Sequence, residues 1–188
     1  MPFTELESGS YEDLTRDKEH GLLLEDGKRV VSFRLATFQA LVNRMTEMAG
    51  DKVGKTLLFQ MGSEIGRVGL RYSKEKILED NVAKVFDKVI RHRGWGRCLG
   101  IEKQGNNANA FIITMSDCPL CYGQKSAEST CDLMRGIVTG WMEALLERKS
   151  IRSVETDCGA VKGPLCVFEV SFSTDNASNY PQAPTLEI

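Results

Sequence analysis

The residues best equipped for chemistry are six cysteines, at positions 98, 118, 121, 131, 158 and 166. Cys158 and Cys166 share the segment VETDCGAVKGPLC, Val154 to Cys166, with the carboxylate of Glu155. Zinc takes four tetrahedral ligands from cysteine, histidine and carboxylate, and closed sites draw them from at least two chain segments. Glu155 and Cys158 are three apart, which on a continuous strand puts them on opposite faces. The chain must therefore turn near Thr156 or Asp157 to bring them together. Gly159, Gly163 and Pro164 then allow a loop to fold back and present Cys166. The fourth ligand must come from elsewhere, and Cys131 is the best candidate, early on a long helix and on the stripe expected to face a sheet. The alternative is that Cys131 and Cys166 are small core residues, which cysteine often is.

Cys118 and Cys121 form a C-x-x-C pair, a spacing that grips a metal or runs thiol-disulfide exchange. Pro119 and the following Tyr122-Gly123 suggest a loop rather than the strand-to-helix setting of a redox site. Metal support, or the alternative ligand set Cys118, Cys121, Cys158 and Cys166, therefore ranks ahead of redox work. Cys98 stands alone on an expected strand and reads as core. Neither His20 nor His92 lies in a paired motif such as H-E-x-x-H, which argues against a histidine-dominated zinc site.

The elements that must hold these groups are legible in outline. Residues 1–20 are polar and read as a flexible arm, residues 21–173 as one folded domain and residues 174–188 as a flexible tail. GLLLEDGKRVV reads as a hairpin around Glu25-Asp26-Gly27. Helices are expected over 33–49, with Phe38, Leu41, Met45 and Met48 on one face, and over 52–70, with Leu58, Met61, Ile65 and Val68 as the stripe. A third is expected over 73–92, lining up Leu78, Val82, Val85 and Val89. Two short strands joined by Gly105-Asn106-Asn107 follow. A long helix over 127–148 should carry Ala127, Cys131, Met134, Val138, Trp141 and Leu145 toward the core. Of two closing strands, the second places Cys166, Phe168, Val170 and Phe172 on one face by period two. Helices and hairpins without regular β-α-β alternation indicate an α+β fold, an antiparallel sheet packed with a layer of about four helices; on the metal reading of VETDCGAVKGPLC, a zinc knuckle lies near the C-terminus.

Gly62 and Gly66 lie inside the second helix, and Gly136, Gly140 and Ala144 form a small-residue ridge on the fourth. Each helical glycine costs about 1 kcal/mol relative to alanine, so something must offset it. Close packing of helices is the simplest answer; room for a ligand or for a partner subunit's helix is the other.

At 188 residues the chain can bury about two-thirds of its unfolded surface without disulfides. Twenty-four Lys plus Arg against 26 Asp plus Glu leave a charge of −2, so no global field recruits nucleic acid or anionic membrane. No apolar run long enough to cross a bilayer is present, and the N-terminus has no charged, apolar leader. The expectation is a cytoplasmic protein that binds neither nucleic acid nor membrane.

The motif Cys131, Gly136, Gly140, then Glu155-x-x-Cys158, then Cys166-x-Phe168-x-Val170 resembles the signature of the 4-vinyl reductase domain family, here as a stand-alone member. The resemblance runs from about Gly27 to Phe172 and is specific in its C-terminal motif. It implies an α+β domain related in fold to vesicle-tethering subunits and nitric-oxide-sensing haem domains, which works as a homodimer and encloses a small hydrophobic or aromatic ligand. Family members include sensor domains of transcription activators responsive to aromatic compounds and proteins linked to bacteriochlorophyll synthesis. In the sensor members a structural zinc ion is held by residues matching Cys131, Glu155, Cys158 and Cys166. Those members read a phenolic hydroxyl with a histidine and a tryptophan, positions on which the resemblance does not place His92 or Trp95, and they carry ATPase and DNA-binding modules, so a complete regulator of that type is not expected.

Three classes of function follow. As a binding protein, a zinc-stabilised sensor or carrier, the chain would use its seven methionines and eight phenylalanines to line an apolar cavity. As a reductase or accessory factor acting on a tetrapyrrole vinyl group it needs an electron source. GWGRCLG spaces its glycines as G-x-G-x-x-x-G and leads into a strand rather than opening a helix, so it supplies no nucleotide loop. A Cys118/Cys121 thiol redox protein is the remaining enzymatic alternative. RHRGWGR, with Arg91, Arg93 and Arg97 around Trp95, is the one hint of nucleic-acid binding, and reads as a solvated helix end. Binding is favoured over catalysis, and no residue is assigned a catalytic role.

Overall fold

The computed structural model describes residues 14–25, 28–71, 82–104 and 109–172. The Asp26-Gly27 turn, the start expected for the third helix, the Gly105-Asn106-Asn107 turn, the C-terminal tail and most of the N-terminal arm lie outside the described residues. The chain divides into a unit running to Phe38 and a unit from Gln39.

In the first unit, β1 (Leu14–Asp17), β2 (Leu22–Glu25) and β3 (Lys28–Val30) form an antiparallel sheet in that order. The expected hairpin is β2 with β3, and β1 adds a strand within the stretch read as an arm. Asp17 closes the β1–β2 turn: its carboxylate accepts the backbone N–H groups of Glu19 and His20 at 3.0 Å each. Gly21 follows at φ +65°, a conformation that glycine adopts without a Cβ penalty.

Four helices are described. The unit boundary falls within α1 (Leu35–Ala49), and α2 (Asp51–Arg71), α3 (Val82–His92) and α4 (Asp132–Leu146) belong to the second unit. Gly50 separates α1 from α2 at φ +76°. Strands β4 (Arg97–Lys103), β5 (Ala110–Ser116), β6 (Ile151–Asp157) and β7 (Leu165–Phe172) form an antiparallel sheet of order β4-β5-β7-β6. The architecture is α+β. No helix among the described residues is long and apolar enough to cross a membrane.

Period two holds along β7: Cys166, Phe168 and Val170 are buried, and Phe172 at the end is half-buried under the Arg148 guanidinium. Helix α3 buries Val85, Phe86 and Ile90, while Val82 and Val89 of the expected stripe are half-buried. Its Asp87 accepts the backbone N–H of Cys98 at 2.9 Å, tying helix to sheet.

The centre of this unit is the crossing of α2 and α4, where the backbones touch. A Cβ on Gly62 would lie 2.0 Å from the carbonyl oxygen of Leu133, and one on Gly66 2.1 Å from that of Ile137. From the other side, a Cβ on Gly136 would lie 2.1 Å from the Phe59 oxygen and one on Gly140 1.9 Å from the Ser63 oxygen. The four glycines are thus consumed by helix-helix packing, and leave no room there for a ligand.

This packing reverses the expected orientation of α2. Leu58 is buried, but Met61, Ile65 and Val68 of the expected stripe are exposed, and the buried face is Gly62, Ser63, Gly66 and Leu70. Close backbone approach gains dispersion contacts that a row of larger side chains would prevent. Helix α4 is likewise shorter than expected: it starts at Asp132, with Cys131 as N-cap, and ends with Glu147 in the left-handed conformation. Ala127 is exposed outside the helix, while Cys131, Met134, Val138 and Trp141 are buried as expected and Leu145 is half-buried.

Polar groups lock the crossing. Arg67 donates from Nη2 at 2.7 Å and Nε at 3.0 Å to Oε2 of the buried Glu143, and it also pairs with Glu64. Thr139 donates to its own helix at Arg135 O, 2.7 Å away, which leaves its oxygen to accept from the Ser153 hydroxyl of β6. Substituting Arg67 by methionine keeps the aliphatic contacts but strands the Glu143 carboxylate. Urea denaturation is expected to show a loss of about 2 kcal/mol, the scale for an unpaired buried polar group.

Candidate metal centre

The cysteine cluster is assembled by three local devices. The first is a β-bulge. Glu155 pairs with Phe168 but Asp157 pairs with Val167, so the β6–β7 register shifts at Thr156. An extra residue on one strand inverts the alternation beyond it, and this is the turn that lets Glu155 and Cys158 converge.

The second device is a pair of turns with the same hydrogen-bond pattern. The Cys118 carbonyl accepts the N–H groups of Cys121 and Tyr122, both at 3.0 Å. The Cys158 carbonyl accepts those of Val161 at 2.9 Å and Lys162 at 3.0 Å. Gly159 keeps the second turn tight, where a Cβ would lie 3.1 Å from the Gly163 oxygen and 3.3 Å from the Cys121 Cβ. Its N–H points to the Cys166 sulfur at 3.4 Å. The third device is the start of α4, which holds Cys131 at its N-cap.

Five sulfurs and one carboxylate meet in this space. Cys131 Sγ lies 3.5 Å from Cys118, 2.9 Å from Cys121, 3.9 Å from Cys158 and 3.7 Å from Cys166. Cys121 Sγ is also 3.5 Å from both Cys158 and Cys166. All five cysteines are buried, and Cys131 is fully so. Quartets whose ligand atoms all lie within 4.8 Å of one another include Cys118, Cys121, Cys131 and Cys166, and Cys131, Glu155, Cys158 and Cys166. The structure thus brings together the four residues singled out from the sequence, and adds the C-x-x-C pair to them. Cys98 is apart, buried on β4, and burial pushes its thiol up to about 11.

The donor set fits a thiophilic cation. Glu155 Oε1 is buried with no hydrogen-bond partner among the described residues, an arrangement that costs free energy unless a cation or proton satisfies it. Burial, then Cys158, pushes the Glu155 carboxyl up to about 8. Hydrogen bonds from Cys118, Cys131 and Cys166 hold the Cys121 thiol far below the ordinary range against the opposing effect of burial. Cys131 lowers Cys158 to about 6. Cys131 and Cys166 are driven above the thiol range, both chiefly by Cys118 and Cys121. A divalent ion would supply the missing positive charge and displace the retained protons, as thiolate ligation requires.

Two parts of the surroundings carried no sequence signal. Gln39 of α1 donates its amide to the carbonyls of Pro119 at 2.8 Å and Tyr122 at 3.0 Å, pinning the Cys118–Cys121 turn. Ser126 N donates to Ala160 O at 2.9 Å, joining the chain before α4 to the Cys158 loop. Both contacts are between residues distant in sequence, and neither residue type is unusual where it stands.

No protein-family model and no curated protein sequence matches the chain. Solved structures do match. The phenol-responsive sensory domain of the transcription activator PoxR, solved with phenol, aligns over 85% of this chain and 85% of its own, with TM-score 0.70 and 16% identity. The two chains share a fold. A vinyl-4-reductase family protein from Methanocaldococcus jannaschii shares it at TM-score 0.53, with 19% identity over 76% of this chain and 83% of its own. A trafficking protein particle complex subunit 3 from Naegleria fowleri, covalently bound to palmitic acid, does so at TM-score 0.56, with 16% identity over 73% of this chain and 91% of its own. The resemblance noted in the sequence therefore holds for the fold.

Proposed function

We propose that this chain is a zinc-stabilised domain that binds a small hydrophobic or aromatic molecule, acts as a sensor or carrier, and works as a homodimer. The observation that carries the binding role is Trp141. Its indole is buried on α4, 4.5 Å from the Phe86 ring, and its Nε1 has no hydrogen-bond partner among the described residues. A buried donor without an acceptor is costly, and an apolar ligand carrying one oxygen would satisfy it. The fold shared with a phenol-responsive domain supports the same reading.

Zinc is the metal that the donors favour, because buried thiolates and one carboxylate make a soft, tetrahedral set. Cys131, Glu155, Cys158 and Cys166 would hold it. A closed site of this kind joins the start of α4 to β6 and β7 and leaves no position for an activated water, so its role is structural.

Dimerisation is supported by the outward face of α2. Leu57, Met61, Ile65 and Val68 recur at helical spacing and are exposed, an apolar row that the described residues leave uncovered. Met61→Glu is expected to convert a dimer to a monomer in light scattering after gel filtration, with metal content unchanged. A wild-type monomer would overturn the dimer.

The ligand is tested by native mass spectrometry of the purified protein, followed by denaturing extraction. A bound small apolar compound, or stabilisation by phenols that Trp141→Phe removes, is expected. Absence of both would overturn the binding role.

A further inference from the structure

We infer that Cys121 and Glu155 are alternative fourth ligands of one metal ion, and that oxidation of the Cys118–Cys121 pair decides between them. This rests on the reading above that the cluster binds metal, and adds to it a second coordination state and the reaction that reaches it. One tetrahedral ion takes four donors, and six converge here. Cys131, Cys158 and Cys166 are the three sulfurs of the quartet that Glu155 completes. Cys121 completes the same three: its sulfur lies 2.9 Å from that of Cys131 and 3.5 Å from those of Cys158 and Cys166.

A tetrahedral ion with zinc–sulfur bonds of about 2.3 Å has a sulfur–sulfur edge of about 3.8 Å. Cys131 meets it with Cys158 at 3.9 Å and Cys166 at 3.7 Å. The edges from Cys121 are shorter, and open to it as an ion separates the sulfurs. Glu155 stands in reserve. With all six cysteines as free thiols, its Oε1 is buried beside the cluster and has no hydrogen-bond partner among the described residues. The thiolate set therefore holds the ion in the reduced chain, and the quartet with Glu155 holds it in the oxidised one.

Cys118 is the sulfur that neither set uses, and it is placed to take Cys121 away. The Cys118 carbonyl accepts the Cys121 N–H at 3.0 Å. Such a turn keeps the two Cα atoms within about 7 Å, the span a disulfide bridges, and the two sulfurs lie within 4.8 Å of one another. A cleft of about 220 Å³ lined by Gln39, Leu120, Gln124 and Thr130 flanks the turn and admits a small oxidant, hydrogen peroxide. The Cys121 thiolate attacks one peroxide oxygen, the O–O bond breaks, and a sulfenic acid forms. The Cys118 sulfur then displaces the hydroxyl and the S–S bond forms. The two sulfurs together lose two electrons, and the peroxide leaves as two waters with one proton from the Cys118 thiol and one from solvent. Cys121 no longer donates to the ion, and the Glu155 carboxylate takes the vacated place.

The test is native mass spectrometry and cadmium-113 NMR of the cadmium-loaded full chain, before and after one equivalent of hydrogen peroxide. The reduced protein is expected to hold one ion and to show a single resonance in the all-sulfur range. Peroxide is expected to remove the mass of two hydrogens, keep the ion, and shift the resonance to the range of three sulfurs and one oxygen. Cys118→Ser should hold the ion and show neither the mass loss nor the shift. Glu155→Gln should match the reduced wild type and then lose its ion on oxidation. Overturning results are a sulfur-and-oxygen resonance in the reduced protein, loss of the ion from the oxidised wild type, or peptide mapping of a disulfide that includes Cys131, Cys158 or Cys166. Each would overturn the exchange alone and leave a single metal site standing. No ion at all would remove the metal from the proposed function as well.

Discussion

Replacement of Cys158 by alanine is expected to release metal and lower the melting temperature together. Cys158 is buried against Cys121 and Cys131 and begins the turn that carries the chain to Cys166. Among the described residues no disulfide is present, so a bound metal would add to the Ser126–Ala160 hydrogen bond in holding these segments together. Metal affinity in such sites is folding free energy, since the unfolded chain does not preform the site. A loss of about 3–4 kcal/mol is expected, equivalent to a melting temperature lower by about 10 °C for a domain of this size. Metal analysis and calorimetry of the same samples check it. A chelator should reproduce the shift in the wild type and add little in the variant. Cys98→Ala is the control: it removes a buried thiol from β4, is expected to cost about 1 kcal/mol, and should leave metal content unchanged. Unaltered metal content in Cys158→Ala would contradict the assignment of this residue.

Gly140→Ala should destabilise the protein by about 3 kcal/mol or more, although alanine is the better helix former by about 1 kcal/mol. The added Cβ would stand 1.9 Å from the Ser63 carbonyl oxygen, and neighbouring atoms Ser63 C and Cα are at 2.6 and 2.8 Å. These are backbone atoms of the facing helix, so α2 and α4 must separate to admit one methyl group. Gly66→Ala should behave alike, with the Ile137 oxygen at 2.1 Å. Gly69→Ala on the same helix is the contrast, because its nearest neighbour is the Val89 side chain at 4.0 Å. There the intrinsic preference should prevail and stabilise by about 0.5–1 kcal/mol. Urea denaturation of the three variants checks the set. Equal effects at positions 66, 69 and 140 would show that the helices do not touch through their glycines.

Local signals in the sequence were sufficient where the physics is local. The Glu155–Cys158 spacing demanded a break in strand alternation, and the break is the register shift at Thr156. The alternation Cys166, Phe168, Val170 is a property of one strand and appears as one buried face. Cys131 was legible as a partner because helix periodicity put it on the buried stripe, though the helix begins only after it.

Tertiary structure decided two matters that no local rule reaches. One is the orientation of α2. Hydrophobic periodicity assigns Met61, Ile65 and Val68 to the interior, but the interior is taken by Gly62, Ser63 and Gly66. Glycine has no hydropathy to announce a buried face; its value there is the backbone contact it permits, which exists only once α4 is in place. The other is the size of the cluster. The sequence by itself determined that Glu155, Cys158 and Cys166 would meet, because bulge and loop lie within one hairpin. The C-x-x-C spacing marked Cys118 and Cys121 as further ligand candidates, but only the packing of their turn, through Gln39 and the turn's own carbonyl bonds, placed them beside Cys131 rather than in its stead. Convergence of segments far apart along the chain depends on the whole fold, and spacing within a segment carries no record of it.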